Sequence, residues 1–416
     1  MDQYRLTKNA CYLASMTMAI SANLSPLLFL IFRDMYNLSY TLLGLLVVIN
    51  FFTQLFIDLI FTFFTKYFNI HKTVRTTPLI VFIGLILYAV LPKFFPALAY
   101  LWIVMGTVIF SIASGLNEVL LSPVIAAIPS ENPEHEMSKL HSMYAWGVVG
   151  VVILSTLFLS VFGGRNWMYL ALLWSIVPFV TFLMFSKAKL PQMDNSGGQQ
   201  KQAKTFSKGM FLCVLCIFFG GAAECTMSQW ASGFIENAIG VPKVYGDVLG
   251  VALFAALLGI GRTLYSKYGK KIINVLFYGM LGATVCYFAA SLSLSPVIGV
   301  IACALTGIFT SMLWPGTLIY VEEKFANVGV AVYALMAAGG DMGASVAPQL
   351  LGIVSDNFSL TTLASNISNT FNISVEQVGM RAGLLLTGLF PLAGVLCILC
   401  MKKYFKKHSN KESNIS

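Results

Sequence analysis

The stretch ASGLNEVLLSPVIAAIP, residues 113–129, holds a single carboxylate, Glu118, within an apolar run that reaches back to residue 97. About twenty apolar residues in helical form cross the hydrocarbon of a bilayer. The run therefore reads as a membrane span, with Glu118 away from either surface. An ionised side chain at the centre of such a span costs at least roughly 2.5–3.5 kcal/mol. An acid retained there is by default a site for a proton or a solute.

The rest of the chain has the same character. Of 416 residues, 57% are hydrophobic and 10% charged, whereas soluble domains carry roughly 25% charged residues. This is the composition of a polytopic membrane protein. Twelve apolar segments follow in order: 9–32, 40–63, 76–92, 97–127, 141–162, 166–186, 209–237, 246–266, 272–291, 295–320, 328–353 and 379–401. The fourth, seventh and tenth exceed the hydrocarbon thickness and are expected to tilt or to extend beyond it.

Basic residues set the expected orientation. With both ends in the cytoplasm, the inner loops hold 21 of the 26 Lys and Arg; only Arg33, Lys93, Arg165, Lys243 and Arg381 lie outside. The positive-inside rule then places both termini in the cytoplasm of a cell (plasma) membrane protein. The net charge of +9 is thus a topology signal and requires no nucleic-acid partner. The first apolar run is too long for the core of a cleavable signal and is expected to remain as an anchor.

All eight cysteines fall within the spans, and the CxxC pairs Cys213/Cys216 and Cys397/Cys400 lie on apolar helices. They read as small buried or lipid-facing residues. His71, His135, His141 and His408 are scattered, so no four-ligand zinc set is expected. No metal, no disulfide and no cofactor are anticipated. The Walker pattern that cradles nucleotide phosphates is absent from the sequence, which argues against direct use of ATP.

The segment KAKLPQMDNSGGQQKQAKTFSK, residues 187–208, is polar and basic, with the Gly, Ser and Gln of a flexible tether. It divides the chain into an N-terminal six-helix half (1–186) and a C-terminal one (209–416). At an offset of 192 residues, Gly115 meets Gly307, Pro123 meets Pro315, Glu131 meets Glu323, Ala145 meets Ala337 and Gly147 meets Gly339. Two parallel six-helix repeats are the plan of the major facilitator transporters.

Particular residues sharpen that resemblance. GLNEVLLSP (115–123) resembles the fourth helix of the fucose-permease-like sugar/proton symporters, with glycine, an acid and then Ser-Pro. SKLHSMYAWGVVG (138–150) resembles their fifth helix and GAAECTMSQWASGF (221–234) their seventh. MLWPGTLIYVEEKF (312–325) and AAGGDMGASVAPQLLGIVSD (337–356) are similar to their tenth and eleventh. The chain departs from the group on the first helix, where fucose permeases have an aspartate after Asn-Leu and this sequence runs Asn23-Leu24-Ser25-Pro26. That argues against fucose itself and against two-carboxylate coupling on the family plan.

Most of the charged residues at span ends have structural readings. Arg262 belongs to GRTLYSKYGKK, similar to the superfamily's basic inner-loop signature, and is expected to serve helix ends and lipid headgroups. Glu131, Glu134, Glu136, Asp34 and Asp356 are expected to be solvated. Deeper acids carry the chemistry. Moving a carboxylate out of water disfavours its charged form, so Glu118 is the first candidate for proton coupling, and Asp341, among Gly339, Gly340 and Gly343, the second. The alternative for each is a neutral acid bonded to a neighbouring helix. Glu224, Gln229 and Trp230 combine carboxylate, amide and indole, the equipment for a polyol ligand. Asn23, Asn117, Tyr144 and Trp314 complete the expected substrate-binding set, with packing as the alternative for the aromatics. Asp58 ends a stripe with Asn50 and Gln54 at helical spacing, read with His141 and Arg262 as gating or structural. Pro315, after Trp314, is expected to bend the tenth helix and expose backbone groups.

The expectation is an all-α membrane protein: a monomeric secondary transporter of a small polar solute, a sugar, with protons and by alternating access. The alternative is a drug or metabolite exporter of the same fold, a proton antiporter. The fifth segment, WGVVGVVILSTLF, lacks the proline of the exporters' signature. An enzyme would need a nucleophile–base or metal constellation, and none is assembled in the sequence.

Overall fold

The computed structural model describes residues 2–64, 67–130, 133–191, 208–269, 271–325 and 330–412. Among these residues the chain is helical, without a strand. The N-terminal half contains α1 (Arg5–Leu27, continuing as Phe29–Tyr36), α2 (Tyr40–Phe64), α3 (Ile70–Phe94), α4 (Ala99–Ala126), α5 (Pro133–Phe162) and α6 (Trp167–Lys187). The C-terminal half contains α7 (Lys208–Asn237), α8 (Leu253–Tyr268, preceded by Lys243–Tyr245 and Gly246–Ala252) and α9 (Ile272–Leu292). It continues with α10 (Pro296–Thr310 and Leu313–Lys324), α11 (Val330–Phe358) and α12 (Val375–Thr387 and Leu389–Glu412).

Ten helices among the described residues are long and apolar enough to cross a membrane, eleven if the bent α1 counts as one span. The remaining expected segment is α11. It has 29 residues, ample length to span at about 1.5 Å each, and it carries buried Asp341, Ser345 and Ser355. Those polar groups face protein, because α11 packs between α2 and α7. A helix enclosed by other helices needs less apolar surface than one in lipid. This is a multi-pass membrane protein.

Local chemistry accounts for the breaks. Leu28, two residues past Pro26, marks a 44° bend in α1. The turn in α10 at Ser311–Met312 precedes Pro315 by one helical turn. Asn69 accepts from Lys72 N at 3.0 Å to start α3, and Ser374 with Gln377 forms a capping box that starts α12. Ahead of α8, Gly246–Ala252 is π-helical, an arrangement frequent at functional sites.

Within the halves, α3 packs on α4 and α6, and α7 on α11 and α12; across them, α2 packs on α11 and α5 on α8. Glycines permit the closest approaches. Tyr40 O would lie 2.8 Å from a Cβ at Gly352, and Gln54 Cα 3.1 Å from one at Gly115. The trio Gly339, Gly340 and Gly343 faces Val214, Trp314 and Phe218, so it tightens α11 against its own half.

The end of the bundle at which α1 starts and α12 finishes is the basic end. At the opposite end, polar contacts join the halves. Arg33 pairs with Glu376 at 2.7 Å, and Thr41 N donates to Asp356 at 2.7 Å. Thr156 Oγ1 donates to Asp247 at 3.0 Å. Asp356 is therefore bonded across the halves, not merely solvated as expected. Glu136 likewise accepts from Lys8 Nζ at 2.6 Å and from Tyr12 OH at 2.5 Å.

Of the expected tether, residues 192–207 lie outside the described residues. Its beginning is docked on the N-terminal half: Thr7 Oγ1 donates to Lys189 O at 2.8 Å and Arg75 Nη2 to Ala188 O at 3.3 Å. His71 Nε2 lies 3.0 Å from Pro191 O. This part is thus packed, because Ala188 and Leu190 provide apolar groups to bury.

Candidate functional site

Three helices from both halves converge on an acid cluster. The carboxyl oxygens of Asp58 (α2), Glu118 (α4) and Asp341 (α11) lie within 4.8 Å of one another. Asp58 and Asp341 are buried and Glu118 is half-buried. The α2 stripe is held in place, since Gln54 Nε2 donates to Asn50 Oδ1 at 3.3 Å and Ser111 Oγ to the same oxygen at 2.5 Å. That bonding turns the stripe's polar face, and so Asp58, toward α4. Asn117 is buried beside Glu118 in sequence, with no hydrogen-bond partner for its Nδ2 among the described residues. Read from the sequence, Glu118 and Asp341 are separate coupling candidates and Asp58 is gating or structural; the fold brings all three together. All-oxygen donors of this kind also suit hard cations.

Beside the cluster is a cavity of about 30 Å³ between the halves, lined by Asn23, Tyr144, Glu224, Cys225, Ser228 and Gln229 among others. That is about one water's share of liquid volume, so the halves must separate further to admit a sugar-sized solute. Asn23, Tyr144, Glu224 and Gln229, all expected at the solute site, do meet there.

Other expectations need correction. Glu224 lines the cavity as half of an ion pair and not as a lone carboxylate: Arg262 Nη2 donates to its Oε1 at 3.1 Å, with each side chain 12% exposed. Arg262 accordingly lies inside the bundle on α8 and not among lipid headgroups, though it does serve a helix end as expected: its Nε donates at 3.0 Å to the carbonyl of Ser311, the C-cap of Pro296–Thr310. Pro315 explains that acceptor. It has no N–H to offer the carbonyl four residues earlier, and the guanidinium takes it.

Trp230 is 2% exposed and packs on Phe29 and Tyr40, with centroids 5.5 and 6.0 Å away, so it belongs to the core. Trp314 packs over Gly340 and Gly221 and lines no part of the cavity. His141 is exposed, at the basic end of α5.

The sequence reading overlooked Asp247. In the π-helical segment it accepts from Ser232 and Thr156, and Lys243 Nζ reaches its two oxygens at 2.9 and 3.0 Å. A lone aspartate following a loop lysine gave no signal, because the π turn that directs it toward α5 leaves no periodic mark.

Residues 10–348 match the family profile described as the Major Facilitator Superfamily. The chain belongs to that superfamily. Solved structures with this fold include a bacterial homolog of the human lysosomal transporter Spinster in an inward-facing, occupied conformation. It is 15% identical, with 98% of each chain covered and a TM-score of 0.74. The proton:xylose symporter XylE, from E. coli, is 14% identical over 97% of this chain and 96% of its own, at 0.71. The E. coli fucose:proton symporter FucP is also 14% identical, over 96% and 99%, at 0.64. No curated protein matches the chain. At such identities the neighbours report the major facilitator fold alone, so the site of this superfamily member has to be read from its own residues.

Proposed function

We propose that this transporter carries a small polar solute of the sugar class across the cytoplasmic membrane together with protons, its basic end facing the cytoplasm. The observation that carries the reading is the three-carboxyl cluster shared between the halves. Two like charges about 4.8 Å apart repel by roughly 3–4 kcal/mol at an effective dielectric of about 20. The nearby guanidinium of Arg262 is engaged by Glu224. The cluster therefore keeps company with protons while Asp341 lies against Asp58 and Glu118. When the halves rock apart, α11 draws away from α2 and α4, the repulsion falls, and protons are released to the side then open. Solute binds in the adjoining cavity, where Asn23, Ser228 and Gln229 offer amide and hydroxyl groups.

The test is uptake of D-xylose and L-fucose into proteoliposomes under an imposed pH gradient. Glu118→Gln should abolish accumulation while counterflow exchange persists. Concentrative uptake by Glu118→Gln equal to wild type, with equal proton movement, would exclude the coupling role. A sodium ion held by the same three carboxylates is the second reading, and a sodium gradient at uniform pH separates the two.

A further inference from the structure

A proline within a helix leaves the carbonyl four residues earlier without its usual donor. Two helices at the centre of this bundle show where such carbonyls turn. In α10, Pro315 frees that of Ser311, which Arg262 occupies from the same half at 3.0 Å. In α1, Pro26 frees that of Ala22, and Gln229 Nε2 of α7 donates to it at 3.1 Å. This second contact crosses between the halves. Asn23 and Gln229 both line the cavity, while the amide of Asn23 turns back to Ala19 O at 2.9 Å. The Ala22 carbonyl and the Gln229 amide are thus complementary polar groups, on opposite halves, at the cavity's edge.

We propose that these two groups form a hydroxyl-binding subsite of the transport cavity. They satisfy each other while α1 and α7 are together, and a solute hydroxyl satisfies both once the helices part. A hydroxyl is one donor and two acceptors. A single one can therefore donate to the carbonyl and accept from the amide, bridging the gap between the halves. Leaving either group buried without a partner is unfavourable, so an apolar solute cannot replace the bond it breaks. The ligand class is polyols, sugars included. The inference rests on the small-polar-solute reading above and gives it a chemical basis independent of proton coupling.

Cys225 lines the same cavity and supplies a native reporter. Full-length protein in nanodiscs is treated with N-ethylmaleimide, and the alkylation rate of Cys225 is followed by peptide mass spectrometry. Pro26→Ala restores an N–H that can reclaim the Ala22 carbonyl, and Gln229→Leu removes the donor. Each should speed alkylation about fivefold, the factor for one hydrogen bond, and the double variant should be no faster than the faster single. Unchanged rates, or effects that multiply in the double variant, would overturn the shared bond.

D-xylose, L-fucose and D-mannitol then serve as probes. Whichever slows alkylation of the wild type should do so about fivefold less effectively in Pro26→Ala. Full protection of Pro26→Ala overturns the subsite. So does failure of all three probes to protect the wild type, which also removes the sugar class from the proposed function. Full protection of Pro26→Ala is thus the outcome that removes the subsite alone, and coupling through Glu118 enters neither readout. If Pro26→Ala does not fold, Gln229→Asn, whose amide is one methylene short, takes its place with the same expectation.

Discussion

Glu118 and Glu224 bring the same functional group into the bundle and meet opposite company. Glu118 faces two further acids, whereas Glu224 faces a guanidinium. Removing one partner of a buried ion pair leaves an uncompensated charge, at a cost of about 3–5 kcal/mol. Glu224→Gln should therefore lower the thermal stability of the detergent-purified protein, and pairing it with Arg262→Met should restore much of the loss. A double variant no more stable than Glu224→Gln would show that the pair is not a unit. Trp230→Ala should also destabilise, by about 3–5 kcal/mol as for other large-to-small core changes. The remaining folded protein should bind solute as wild type does. A selective loss of affinity with unchanged melting would return Trp230 to the binding site.

Among elements, α1 and α5 are joined near the basic end by Glu136, which accepts from Lys8 and Tyr12. Glu136 precedes the membrane-spanning part of α5, Lys139–Phe162. The bond from Lys8, followed by that from Tyr12, holds its carboxyl below the usual 4.5. A depressed carboxyl adds stability that is fully present above its unfolded value and is lost as pH falls through the folded one. Melting temperature should thus decline below pH 4.5 more steeply in wild type than in Glu136→Gln. Parallel acid limbs in the two proteins would remove Glu136 as the source. Lys8 and Tyr12 are visible in the sequence as one turn of helix, but their distant partner is not. The link needs α1 and α5 side by side.

At the scale of the whole molecule, the halves meet along α2–α11 and α5–α8, with polar contacts concentrated away from the basic end. The strap at residues 188–191 stays with the N-terminal half through Thr7, His71 and Arg75. A break between residues 195 and 196 therefore leaves the strap attached to its half. Residues 1–195 and 196–416, co-expressed, should assemble and transport. Two fragments that each insert but never transport together would give the intervening segment a role in gating. A second break, before Ala188, should be worse than the first, because it separates the strap from its half.

What could be read directly from the sequence is what depends on the hydrocarbon solvent. Apolar length sets the spans, basic loops suggest their orientation, and an acid such as Glu118 within a span is exceptional wherever its helix packs. The Asn50–Gln54–Asp58 stripe showed that one face of α2 avoids lipid, and Pro26 and Pro315 showed that carbonyls would be released. Which group answers each was decided only by the tertiary structure. Asp58 joins Glu118 and Asp341 because α2 lies against both α4 and α11. Arg262 reaches Glu224 and Ser311 because α8 brings it inward, and Gln229 reaches Ala22 across the halves. Hydrophobicity is a property of each segment alone. A hydrogen bond or ion pair belongs to two segments at once, and its partner is set by how helices distant in the chain pack and rotate against one another.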